Sequence, residues 1–124
     1  MRLLIIGSLG GQIGAASQIA MRRGATVVQA DGVQAALAQL RGGKGADLVM
    51  IDAALDVHTL VVSLEAERIA VPVIACGVGT DSKAAVNAIR AGAKEFVPLP
   101  PDPDLIAAVL EAVSRQDTDI IFSD

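Results

Sequence analysis

"VPVIACGVGTDSKAAVNAIRAGAKEFVPLP", residues Val71 to Pro100, is the stretch whose reading decides the fold. It opens on an apolar run, Val71–Ala75, that is β-branched, short and bounded by a glycine, which reads as a strand. Ser82–Ala91 then mixes alanine, valine and isoleucine with polar residues at helical spacing, and Gly92 stands where a helix stops. Glu95–Val97 is a second short strand. Two strands joined through a helix run parallel, because a hairpin needs no such crossover.

The same alternation continues outward. Leu3–Ile6, Thr26–Ala30 and Leu48–Ile51 read as strands. Gln12–Arg23, Val33–Leu40 and Leu55–Arg68 read as helices, the first stopped by Gly24 and the second by Gly42 and Gly43. The last helix begins at Asp102, a capping residue, with Pro103 and Asp104 in its first turn. Leu105, Ile106, Val109, Leu110 and Val113 form its buried stripe. Five strands alternating with five helices demand an α/β domain with a parallel sheet covered on both faces, and the nearly all-apolar strands agree. Functional groups in such folds gather at the carboxyl ends of the strands. Those ends bring up Gly7 and Ser8, Asp31, Asp52, Cys76 and Gly77, and Pro98 and Leu99. The pattern stops after Arg115, so residues 1–115 are read as the domain. Residues 116–124 are read as a linker toward a further domain, with apolar Ile120, Ile121 and Phe122 near its end.

Composition narrows the function. A chain of 124 residues makes one domain, large enough to fold without disulfide or metal. Phe96 and Phe122 are the only aromatics and the net charge is −4, so neither base-stacking platforms nor a basic stripe for duplex DNA exist in this segment. Direct nucleic-acid binding is not expected. One cysteine, Cys76, cannot form an internal bridge and fits a reducing compartment; no apolar run reaches membrane-spanning length, so the expected location is the cytoplasm. A lone histidine, His58, makes no metal site.

"LLIIGSLGGQIGAAS", residues 3–17, invites a nucleotide-binding reading. Gly10, Gly11 and Gly14 follow the first strand, and Asp31 sits where a ribose-binding acid would fall. The spacing is a near miss for a dinucleotide loop, since Leu9 or Ser8 takes the first glycine slot, and no Gly-Lys-Ser/Thr follows for a P-loop. The simpler reading is that these glycines let the first helix pack close to the sheet. A small Rossmann-like nucleotide-binding module stays as the alternative.

From Asp47 onward the chain resembles the response-regulator receiver domains. "DLVMID" is similar to the receiver's third strand and ends on the phosphoacceptor position, Asp52. Residues 71–100 align without a gap to its fourth strand, fourth helix and fifth strand. "AIRAGAKEF" is the most specific part: Phe96 falls on the family's switch aromatic and Pro100 on its conserved proline. The resemblance covers residues 2 to about 115 and implies a flavodoxin-like (CheY-like) fold with strand order 2-1-3-4-5. "GGQIGAAS", "ACGVGTD" and "IRAGAKE" carry a closer likeness to flagellar regulators of the NtrC class. That likeness implies a downstream σ54-remodelling ATPase and a DNA-binding domain, a regulatory protein partner of the FliX type, and leaves a homodimer open.

The departures from the family's pattern bear on mechanism. A working receiver seats Mg²⁺ on two acids after the first strand, and those positions are Gly7 and Ser8. The hydroxyl residue that follows the phosphoryl group falls on Gly77, and the phosphate-pairing lysine falls on Leu99; Thr80 and Lys94 are out of register. Phosphoryl transfer depends on positioning and on neutralising charge spread over three oxygens. Mg²⁺ takes six oxygens, with one or two carboxylates among them. Asp52 alone supplies one. The expectation is therefore a vestigial Asp52, no metal, no cofactor and no catalysis, with Phe96 as a plug. The domain then works through protein contacts, with Lys83, Asn87, Arg90, Lys94, Glu95 and Pro98 as partner-surface candidates. A working phosphoreceiver with an unusual metal site is a further alternative.

Overall fold

The computed structural model describes residues 1–43, 45–78 and 82–122, with 114–122 as backbone only. Strands β1 (Arg2–Ile6), β2 (Thr26–Ala30), β3 (Leu48–Asp52), β4 (Val73–Val78) and β5 (Glu95–Leu99) alternate with helices α1 (Ile13–Arg22), α2 (Val33–Arg41), α3 (Val57–Ala66), α4 (Ser82–Arg90) and α5 (Pro103–Phe122). The strands form one parallel sheet in the order β2-β1-β3-β4-β5.

Alternation along each strand divides the core in two. Leu4, Ile6, Val49, Ile51, Val73 and Ala75 meet Leu37, Leu40, Leu60 and Leu64 of α2 and α3. Leu3, Ile5, Leu48, Met50, Ile74, Val97 and Leu99 point the other way, onto Ile13, Ala16 and Ala20 of α1 and Ile106, Val109 and Leu110 of α5. Both faces being covered is why these strands are apolar at successive positions.

Some boundaries differ from the sequence expectation. Helix α3 begins at Val57, not Leu55, because the Asp56 carboxylate caps it, accepting from the Thr59 N–H at 3.0 Å and the Thr59 hydroxyl at 2.7 Å. It ends at Ala66, with Arg68 at φ 57 just beyond. Strand β4 starts later, at Val73, and continues through Val78, since its pairing with β5 runs from Ile74–Glu95 to Val78–Leu99. Helix α5 runs on to Phe122, past the end of its apolar stripe at Val113. No helix among the described residues is long and apolar enough to cross a membrane.

Candidate functional site at the carboxyl ends of the strands

Asp52 closes β3, level with Cys76 of β4. Gly7 lies beside it at the end of β1: a Cβ on Gly7 would stand 3.2 Å from the Asp52 Cβ, and Gly7 has φ +143, a conformation side chains resist. Two constraints therefore favour glycine where the family carries an acid. Ser8 follows and is exposed. The half-buried Asp52 carboxylate accepts one hydrogen bond, from the Ala54 N–H to Oδ1 at 2.9 Å. This turns the chain out of β3, the capping use that the residue's position allows. Oδ2 has no hydrogen-bonding or ionic partner among the described residues, and it is not sealed from solvent.

The neighbouring strand-end positions Gly77, Leu99 and Cys76 carry neither a hydroxyl nor an ammonium group. At Gly77, a Cβ would meet Cζ and Cε2 of Phe96 at 2.9 and 3.0 Å and the Ala53 Cβ at 3.3 Å. The Phe96 ring thus fills the volume that a hydroxyl side chain at Gly77 would need. Leu99 is buried in the core on the α1–α5 side, followed by a cis Leu99–Pro100 peptide. Cys76 is fully buried, and its thiol is pushed up to about 12 by burial and then by the nearby Asp52 charge. It is a packing residue, protonated at neutral pH.

The glycine loop turns inward on itself. Gly11 N–H donates to the Ser8 carbonyl and Gly14 N–H to the Gly11 carbonyl, each at 3.1 Å. A Cβ on Gly14 would collide with the Leu9 carbonyl oxygen, so this glycine permits the close approach of loop to helix. Asp31 accepts from the Gln29 side-chain amide at 2.9 Å, and the same nitrogen donates to the Gly7 carbonyl at 2.7 Å. These contacts give structural reasons for Gly14 and for Asp31 that need no nucleotide.

Reasoning from sequence overlooked three participants. Gln29 is the tie between β2 and the end of β1; its signal was a polar side chain inside an apolar strand. Leu9 and Val78 are large apolar residues left 46% and 65% exposed at this end of the sheet. The partner-surface candidates Lys83, Asn87, Arg90, Lys94, Glu95 and Pro98 are all exposed, and so is His58 on α3. Thr80 lies outside the described residues.

Comparison with solved structures identifies the architecture. The receiver domain of NtrX from Brucella abortus superposes with a TM-score of 0.76 at 23% identity, over 90% of this chain and 96% of that one. A CheY-like receiver domain protein from Methanospirillum hungatei gives 0.74 at 21% identity, over 95% and 97%. The chain has the fold of a response-regulator receiver. In sequence, the chain is 51% identical over 124 residues to the transcriptional regulatory protein FlbD of Caulobacter vibrioides, matching throughout its own length and spanning 27% of that protein. No family model matches.

The receiver fold implies a Mg²⁺ ion beside the aspartate of β3, and the donor set here does not fit one. Among the described residues Asp52 is the one carboxylate against Gly7, and the Gly7 carbonyl already accepts from Gln29. Among the described residues, no three His, Cys, Asp or Glu side chains come together in a way that could hold a metal.

Proposed function

We propose that this receiver acts without phosphoryl transfer, as a protein-binding regulatory domain of a FlbD-like transcriptional regulator. The observation that carries the reading is the Phe96 ring seated over Gly77, together with an Asp52 that has no ion-pair partner among the described residues. Phosphorylation of Asp52 brings an anionic donor to an anionic nucleophile. With no cation between them, the repulsion at 4 Å is about 4 kcal/mol at an effective dielectric of 20, roughly a thousandfold in rate. The domain is therefore not an enzyme toward phosphodonors, and its output does not wait on one.

The likeness to FlbD supports the rest of the assignment: a cytoplasmic σ54 regulator of flagellar genes, with ATPase and DNA-binding domains downstream and a partner of the FliX type. Mass spectrometry after incubation with acetyl phosphate and Mg²⁺, alongside titration calorimetry with Mg²⁺, tests the central point. The expected result is no adduct and no heat in the millimolar range. A stable phosphoadduct on Asp52 overturns the reading.

A further inference from the structure

We propose that the free edge of β2 is a docking site for a second copy of this chain. The two β2 strands pair antiparallel about a two-fold axis at Val28 and join the two five-stranded sheets into one. The inference goes beyond the reading above and does not depend on the fate of Asp52. Three observations carry it.

The first is the backbone of the edge. Among the described residues β2 pairs with β1 and with no other strand. The Thr26 N–H donates to the Met1 carbonyl at 2.8 Å, and the Ala30 carbonyl accepts from the Gly7 N–H at 2.9 Å. Thr26, Val28 and Ala30 therefore turn their backbone groups toward β1, and alternation turns those of Val27 and Gln29 outward. The Gln39 side-chain amide marks that outer side, donating to the Gln29 carbonyl at 3.2 Å. An edge with unpaired N–H and C=O groups is a template for a further strand. With Val28 on the axis, Val27 stands opposite Gln29 of the second copy, and the two exchange both backbone hydrogen bonds. Gln29 meets the second copy's Val27 in the same way. Both outward residues are used, and a backbone donor replaces the Gln39 amide.

The second is the side chains. Val28 is 44% exposed, and an open hollow of about 380 Å³ lies beside it, lined by Leu4, Thr26, Gln39 and Ala46. Helix α2 thus leaves this part of the strand unroofed. The same register sets Val28 directly against Val28 of the second copy, an apolar cross-strand pair. On β5, the other edge of the sheet, the exposed residues are Glu95 and Pro98, a charge and a proline, which blunt an edge. The third is charge complementarity. Asp31 follows β2 and stands opposite Ala25 of the second copy, with that copy's Arg23 two residues away. Both Asp31 and Arg23 are exposed, and neither has an ionic partner among the described residues. Antiparallel pairing brings the acid of each copy toward the arginine of the other, whereas a parallel arrangement sets like charges together. Complementary charge of this kind fixes orientation and register.

The test combines light scattering with cysteine crosslinking of the intact chain. The molar mass should rise from one copy toward two as the protein is concentrated. Val28→Lys sets two ammonium groups against each other, and Asp31→Arg sets arginine against arginine; each should weaken the dimer at least about tenfold. Both positions are exposed, so the chain stays folded, as its melting curve will show. Adding Arg23→Asp to Asp31→Arg should restore the dimer. Under mild oxidation Val28→Cys should give a disulfide-linked dimer, because position 28 faces itself across the axis. Thr26→Cys should not, because position 26 faces Ala30, and the buried Cys76 stays out of the reaction. A mass of one copy at every concentration, a dimer indifferent to Val28→Lys or to the charge reversal, no crosslink at 28, or one at 26 as fast as at 28 each overturn the proposal. A phosphoadduct on Asp52 would overturn only the earlier reading.

Discussion

Replacing Gly77 with alanine puts the central packing claim at risk, because two physical effects predict opposite signs. Gly77 sits in β4 without a positive φ. In open space, alanine there stabilises by about 0.4–1 kcal/mol, since it removes freedom from the unfolded chain. The space is not open. The new methyl meets two ring carbons of Phe96 at 2.9 and 3.0 Å and the Ala53 Cβ at 3.3 Å, whereas carbon atoms rest at about 3.5–4.0 Å. The ring must move by roughly half an ångström or more against the core on the α2–α4 side. Overpacking of this kind costs about 1–3 kcal/mol, so the net expectation is a loss of about 1–2 kcal/mol. Urea unfolding followed by circular dichroism measures it through the shift in midpoint at constant slope. Phe96→Leu removes the clashing ring end, so in the Gly77→Ala background it should restore part of the loss. A double-mutant cycle then reports a coupling of about 1 kcal/mol. Gly45→Ala is the control, because a Cβ there meets nothing within 4 Å. If Gly77→Ala proves as stable as the parent, or the cycle closes without coupling, the seated ring is wrong and so is the reading that depends on it.

Other consequences follow from the same geometry. Gly14→Ala drives a methyl into the Leu9 carbonyl, which is backbone and cannot swing away; a loss of about 3 kcal/mol or failure to fold is expected, read by the same unfolding curve. Cys76 should resist iodoacetamide at pH 8 in the native protein and react once urea unfolds it, as mass spectrometry will register. Fast native alkylation would contradict its burial and its raised pKa. The Asp56 carboxyl is held below its ordinary value first by the Thr59 hydroxyl and then by the Thr59 N–H. Its contribution is present above the unfolded carboxylate range and fades as pH falls through its lower folded value. Asp56→Asn should therefore melt lower than the parent at pH 7, with the difference shrinking in acid. A thermal-shift screen with NAD, FAD and ATP should leave the melt unmoved, whereas binding at 100 times Kd raises stability by about 2.7 kcal/mol.

The architecture was legible because it rests on periodicity and punctuation. Leu48–Ile51 is apolar at four successive positions, which only a strand covered on both sides requires, and Gly24 and Gly92 mark helix ends by the positive φ they adopt. The positions Gly7, Ser8, Asp52, Gly77 and Leu99 were equally legible as residue types at strand ends. Their surroundings were not. That Phe96 fills the room over Gly77 depends on the pairing of β4 with β5, and that Gln29 occupies the Gly7 carbonyl depends on β2 lying beside β1. The boundaries of α3 and β4 also needed tertiary contacts: the Asp56 cap set one, and pairing with β5 extended the other.

By itself, then, the order of amino acids determined which segments are strands and helices, that the strands are parallel, and which chemical groups stand at their carboxyl ends. Those features follow from side-chain spacing along a single chain, where each residue's neighbours are known. Only the folded molecule decided which of the groups face one another: a ring against a glycine, a glutamine against a carbonyl, an aspartate with one oxygen bound and one exposed to solvent. Such contacts join residues far apart along the chain, and their distances depend on strand register and helix placement, which no local pattern encodes.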